Sequence, residues 1–355
     1  MQFIKSIVSA ILILTINQAI ASDSLSVKAK PRIGPPELLL PPPIDSIQLI
    51  KISITDRLTK SSVEQTELRN RQNSLSLQNL LLQTETAVSP DASIIGTLED
   101  VLSEYIRMND LNGQALVYST YGVYYGRFGQ ADKAIYYFNE AFKLKETLKD
   151  NEGAAKIAEN LSALYRINGQ FDLAVKFAEF RIAEHLRQSK TAAAANMHLI
   201  IAQLKLAQKK FKQSEYNVLN KAFPLFKRTG SKFGRMRCFQ TLAEIYFEQG
   251  RYSEAKWFYI QAQIMSAKIF DNQAMISSLI GLGKTKHAQG DYLEALQDYK
   301  QAEELALRNN YLVNLVEINA GLGETYNKRG DYQAADAALN EYHKFRESWI
   351  KANKL

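Results

Sequence analysis

From Leu111 to the C-terminus the apolar positions of this chain recur in six blocks of about 40 residues. The blocks align on a turn position held by Gly129, Gly169, Lys209, Gly250, Gly290 and Gly330, at steps of 40, 40, 41, 40 and 40 residues. Seven residues before each turn is a small side chain (Gly122, Ser162, Ala202, Ala243, Gly283, Gly323), itself preceded by a large apolar or aromatic one (Tyr121, Leu161, Ile201, Leu242, Leu282, Leu322). Five residues after the turn comes a second small side chain (Ala134, Ala174, Ser214, Ala255, Ala295, Ala335). An aromatic follows the turn by two residues in five blocks, as Phe171, Phe211, Tyr252, Tyr292 and Tyr332.

Each block reads as a helix, a turn and a second helix. Glycine past a helix C-terminus accepts the left-handed backbone that other residues resist. The two small positions let the paired helices approach, and the large ones fill the space between blocks. In the fifth block Asp291 and Glu294 have the spacing of a capping box that opens the second helix. No block can bury its apolar face alone, so the blocks must stack.

The arrangement small-x-x-Tyr-x-x-x-Gly-x-Tyr-x-x-Ala, densest at Ala243–Ala262, resembles the tetratricopeptide repeat family. The step exceeds that family's usual ~34 residues. It is similar to the longer-helix branch that includes bacterial peptide-pheromone receptors and sensor regions of signalling proteins. The resemblance covers roughly residues 111–350 and implies an all-α fold, a right-handed α-solenoid of helix-turn-helix repeats. The third block departs from the pattern with Lys205, Lys209 and Ser214 where Tyr, Gly and Ala are expected.

The N-terminus is organised differently. Residues 1–21 carry one cation, Lys5, then the apolar run Ile7–Ile16 and the small residues Ala19 and Ala21. This is the pattern of a secretory signal peptide cleaved after Ala21, and the apolar run is too short for a membrane span. Residues 22–43 hold six of the eight prolines and read as an extended linker. In 44–110 the heptad spacing of Leu68, Leu75 and Leu82 predicts a helix over Ser62–Glu85. A second helix over Ala92–Asn109 is expected to act as a partial repeat that caps the array. The mature protein is therefore expected to be periplasmic or secreted, and not membrane-spanning.

Lys and Arg number 44 against 37 Asp and Glu, a net charge of +7. The excess is local. Between Lys205 and Arg237 ten basic residues face one acid, Glu215. Lys209, Lys210, Lys212, Lys227, Arg228, Arg235 and Arg237 form a candidate basic patch for an acidic protein, anionic lipids or an anionic envelope polymer. Nucleic acid is not expected as a partner of an exported protein. The single cysteine, Cys238, reads as a small buried hydrophobe.

Nothing in the sequence points to catalysis or a cofactor. The four histidines, His185, His198, His287 and His343, lack zinc-pair spacing, and no hydrolase or phosphate-loop motif is present. Gly281-Leu-Gly283 and Gly321-Leu-Gly323 sit at the small packing position, and the sequon Asn160-Leu-Ser162 falls within a helix.

The resemblance supplies a candidate groove lined by the first helix of each pair. Carried over position by position, it selects Arg127 in the first block and Glu159, Ala163 and Arg166 in the second. Leu199, Gln203 and Leu206 follow in the third, then Gln240, Glu244, Phe247 and Glu248 in the fourth. Lys284 and His287, then Glu324, Asn327 and Lys328, complete it. The chaperone-tail clamp of some relatives needs Lys and Asn one turn apart. The corresponding places hold Ser119 and Val123, then Glu159 and Ala163, so that ligand is not expected. The sequence favours an exported scaffold that binds a peptide or partner protein in envelope assembly or secretion. The alternative is an accessory regulatory subunit of a membrane-bound histidine kinase or cyclic-dinucleotide cyclase.

Overall fold

The computed structural model describes Gln72, Leu80 and residues 91–352. The expected signal peptide, Pro-rich linker and Ser62–Glu85 helix lie outside the described residues, apart from Gln72 and Leu80. Among the described residues there is no strand. The fold class is all-α, a solenoid-type series of helix-turn-helix repeats, and it divides into two compact units, one up to Glu184 and one from His185.

The first unit contains α1 (Ala92–Arg107), α2 (Leu111–Arg127), α3 (Ala131–Thr147), α4 (Asn151–Ile167) and α5 (Phe171–Arg187) as far as Glu184. α1 packs on α2, α2 on α3 and α3 on α4. Ile94, Leu98, Val101 and Tyr105 of α1 join Val117, Tyr121 and Tyr124 of α2 in one buried cluster, and Leu80 belongs to it. The apolar face of α1 thus packs on the first helix of the first repeat.

The second unit runs through α6 (Thr191–Ala207), α7 (Phe211–Tyr216), a π-helical segment (Asn217–Ala222) and α8 (Phe223–Arg228). It continues with α9 (Lys232–Glu248), α10 (Tyr252–Ile269), α11 (Asn272–Gln289), α12 (Tyr292–Arg308), α13 (Leu312–Lys328) and α14 (Tyr332–Ala352). Neighbours in sequence pack from α9 through to α14. The first helices of successive pairs also touch, α6 with α9, α9 with α11 and α11 with α13. They form one continuous face.

The 40-residue step has a simple origin. In the first blocks two 17-residue helices alternate with three-residue turns. Every turn has the same geometry. The residue past the helix is left-handed, its N–H meets the carbonyl three residues back, and the next N–H meets the carbonyl five back. At the fourth glycine turn, Gly250 N–H donates to Phe247 O at 2.9 Å and Arg251 N–H to Tyr246 O at 2.8 Å. The same geometry closes the turns between blocks, at Asn109, Lys149, Ser189, Gly230, Phe270 and Asn310. Lys209 takes it too, with φ at 56°, so the third block keeps the turn without the glycine.

The one-residue excess in that block has a definite place. Left-handed residues within a block are 20 apart elsewhere and 21 apart from Lys209 to Gly230. Between them lies the π-helical turn Asn217–Ala222, the way a helix absorbs an extra residue without losing its ends. Val218 and Ala222 remain fully buried across it.

One expected detail fails. Asp291 caps nothing with its side chain, and its ψ of 59° departs from the extended backbone of the capping residues Asp110 and Asp271. Glu294 is drawn instead to Lys256 and Lys286, at 3.6 and 3.5 Å. The side-chain caps of α2, α4, α9 and α11 are Asp110, Asp150, Ser231 and Asp271, all at the turns between blocks.

The small positions serve packing. A Cβ on Gly281 would stand 2.3 Å from the Tyr259 ring, and one on Gly283 would stand 2.8 Å from Tyr299. The paired glycines are therefore seats for tyrosine rings. Cys238 is fully buried, and burial pushes its thiol up to about 12.

Candidate partner-binding face

The first helices of the second unit carry a row of polar side chains that bridge from one repeat to the next. Arg237 on α9 donates to Asn196 Oδ1 on α6 at 3.3 Å. Gln240 on α9 donates to Ala274 O and Ser278 Oγ on α11, at 3.1 and 3.2 Å. Between α11 and α13, Gln273 donates to Asn314 Oδ1 at 3.2 Å and Lys284 pairs with Glu317 at 2.5 Å. His287 Nδ1 lies 2.9 Å from Thr325 Oγ1, and its ring sits edge-on to Tyr292. Each bridge holds two first helices in register along the shared face.

Glu244 sits in the middle of this row. It is exposed to solvent, and the charges of the neighbouring first helices act on its carboxyl. Crowding raises the carboxyl to about 7, against the pull of Arg237 and Lys284 and with the push of Glu317 and Glu248. Solvent reaching the side chain tempers that rise. Burial lowers the half-buried Arg237, and Tyr259 is raised well above the usual phenol range, chiefly by its own burial and then by Glu244. The face offers one crowded carboxylate, two cations and, from Phe247, a half-buried ring packed on Tyr252.

The other residues selected from the sequence fall as follows. Gln203 is half-buried, while Glu248, Glu324, Asn327 and Lys328 are exposed. Leu199 turns into the core with no exposure, and Leu206 packs against the same cluster. In the first unit Arg127 is exposed, and Glu159 accepts from the buried Arg181 at 3.0 Å. Burial lowers the Arg166 guanidinium.

The basic stretch does not form one patch. Lys209, Lys210 and Lys212 stand at the turn that opens α7, whereas Lys227 and Arg228 stand at the end of α8. An intervening run of helix about 25 Å long separates them. All five are exposed. Arg235 and Arg237 are half-buried on α9, and Arg237 belongs to the row of bridges between first helices. Asn196, Ser278, Asn314, Glu317 and Thr325 were not selected from the sequence. Their signal is a polar residue about one repeat away from a polar partner, as in Asn196 and Arg237.

Among the described residues no group of three or more His, Cys, Asp or Glu could hold a metal ion. Among them also, no helix is long and apolar enough to cross a membrane.

Residues 271–348 match the family model for the tetratricopeptide repeat. The apo form of RapI is similar over 79% of this chain and 99% of that chain, with 12% identity and a TM-score of 0.58. A Signal Transduction ATPase with Numerous Domains (STAND) protein with a tetratricopeptide repeat sensor, from Pyrococcus horikoshii, is similar over 79% of this chain and 42% of that chain. Its identity is 14% and its TM-score 0.59. None of the curated proteins matches the chain in sequence. At these identities the structural likeness is one of fold. The chain has the helical-repeat fold of these neighbours, and its residues 271–348 are of tetratricopeptide type.

Proposed function

We propose that this protein is a non-catalytic, exported scaffold that holds a segment of another protein along the first-helix face of its second unit. The observation that carries the reading is the row of polar bridges between successive first helices, Arg237 to Asn196, Gln240 to Ser278, Lys284 to Glu317 and His287 to Thr325, with the exposed Glu244 among them. A segment presenting a basic side chain to Glu244, an acidic one to Arg237 and Lys284, and an apolar one to Phe247 would satisfy the face. Bridges such as Lys284 to Glu317 hold these groups in place before binding, so little side-chain ordering remains to be done. Export rests on the sequence of residues 1–21. A role in envelope assembly or secretion would suit such a location.

The test is affinity capture from cell-envelope extract. Mature protein is compared with an Arg237→Glu, Lys284→Glu variant whose circular dichroism matches it. The reading expects one discrete partner on the mature protein and at least a tenfold weaker signal on the variant, the scale of losing a charged contact. Equal capture by both proteins would remove the first-helix face from consideration. N-terminal sequencing of the exported product should begin at Ser22.

A further inference from the structure

The turns that join one repeat to the next in the second unit, at Ser189, Gly230, Phe270 and Asn310, fall on one edge because successive first helices pack side by side. The chemistry of that edge is one-sided. Lys190, Lys227, Arg228, Lys232 and Lys268 flank these turns and are all exposed. Among the described residues, none of the four lysines makes an ion pair. The carboxylates closest to the same turns are already engaged. Asp271 Oδ1 accepts from Ala274 N at 2.9 Å, and Glu304 pairs with Arg308. The opposite edge, by contrast, mixes Arg251 with Glu254 and Lys209 with Asp291 and Asp331.

Phe270 stands among these cations. It adopts φ of 56°, a conformation unfavourable for a bulky side chain, and its side chain is 91% exposed. The equivalent turn residues in this unit are Ser, Gly and Asn. The fold gains no packing from the phenyl ring in return for the backbone strain. On the next turn Leu307 is 53% exposed. A cationic edge alone would suit any polyanion. An aromatic ring held out at the tip of that edge suits a surface with anionic headgroups above an apolar layer.

We propose that this edge docks on an anionic lipid bilayer, with the lysines over the headgroups and Phe270 entering the layer beneath them. The docking uses none of the first-helix residues Arg237, Gln240, Glu244 and Lys284, and so does not depend on their occupant.

The test is co-sedimentation of the mature protein with vesicles of phosphatidylcholine and phosphatidylglycerol at about a 2:1 ratio, against pure phosphatidylcholine vesicles. Two variants accompany it. One carries alanine at Lys190, Lys227, Lys232 and Lys268. The other is Phe270→Asn, which suits the left-handed backbone and so keeps the fold. The expected result is binding to the anionic vesicles only. Binding should fall about tenfold or more with the lysine variant and in high salt, and several-fold with Phe270→Asn. Three results would overturn the proposal: no binding to anionic vesicles, binding that neither variant weakens, or binding that Phe270→Asn leaves intact while soluble polyglutamate competes fully. The last would make the edge a soluble-polyanion site.

Discussion

Ser214 Oγ donates to Ala202 O across the third helix pair at 2.6 Å, and Ser162 Oγ donates to Ala174 O across the second at 2.7 Å. In both pairs the two partners are the paired small positions of the repeat, with the serine on opposite helices. A hydroxyl is tolerated at this closest approach because the facing backbone carbonyl receives it, so the seat is defined by volume and not by polarity. Ser214→Ala should change stability by no more than about 1 kcal/mol. Ser214→Val should cost roughly 1–3 kcal/mol through overpacking. Urea unfolding midpoints of the two variants would separate these outcomes.

Lys209 holds a left-handed turn that glycine holds in the other five repeats. Lys209→Gly should stabilise the protein by roughly 0.5–1 kcal/mol, since relief of the Cβ clash outweighs the added freedom of the unfolded chain. A raised melting temperature in differential scanning calorimetry is the expected reading. The same change at exposed helical Lys212 should lower it.

Gly281 lies under the buried ring of Tyr259, 2.3 Å from where a Cβ would stand. Alanine is normally the better helix former by about 1 kcal/mol. Here Gly281→Ala should nevertheless destabilise, by about 1–2 kcal/mol net, because the ring is packed and cannot swing away. The double variant Gly281→Ala, Tyr259→Leu should recover part of the loss, as measured by chemical unfolding.

How much of this was legible in the sequence depends on whether a position constrains side-chain type or only backbone. The turns within blocks could be found because five of six use glycine. The turns between blocks have the same geometry, yet they hold Asn109, Lys149, Ser189, Gly230, Phe270 and Asn310, which share no chemistry. The 41-residue step betrayed an insertion, but only the backbone places it in the π turn at Asn217–Ala222. Of the first-helix positions selected, Gln240, Lys284 and His287 bridge to the next repeat, whereas Leu199 belongs to the core, because a one-position rule cannot say which side of a helix its neighbours cover. The basic stretch looked contiguous because residues at the two ends of one helical arm are close in sequence. The split at Glu184 and His185 has no mark in the repeat pattern, which runs through it unchanged.

Glu244 gives the first-helix face a pH dependence with a defined sign. Its folded carboxyl is raised from an ordinary 4.5 to about 7, so the folded state binds more protons than the unfolded one between those values. This residue's contribution to stability therefore falls as pH rises through that window, by an amount that solvent access reduces. Glu244→Gln should be more stable than the parent at pH above 7, and the two should converge below about pH 4.5. Thermal melts across that range would record the convergence.

The proposed partner lies along the first-helix face of the second unit. The most direct measurement is site-specific photo-crosslinking in intact cells, with the photoreactive residue placed at Glu244 on that face or at Trp257, exposed on a second helix. A discrete adduct of one size from position 244 and none from position 257 is the expected result. An adduct from position 257 with position 244 silent would contradict the account and move the binding surface to the opposite face.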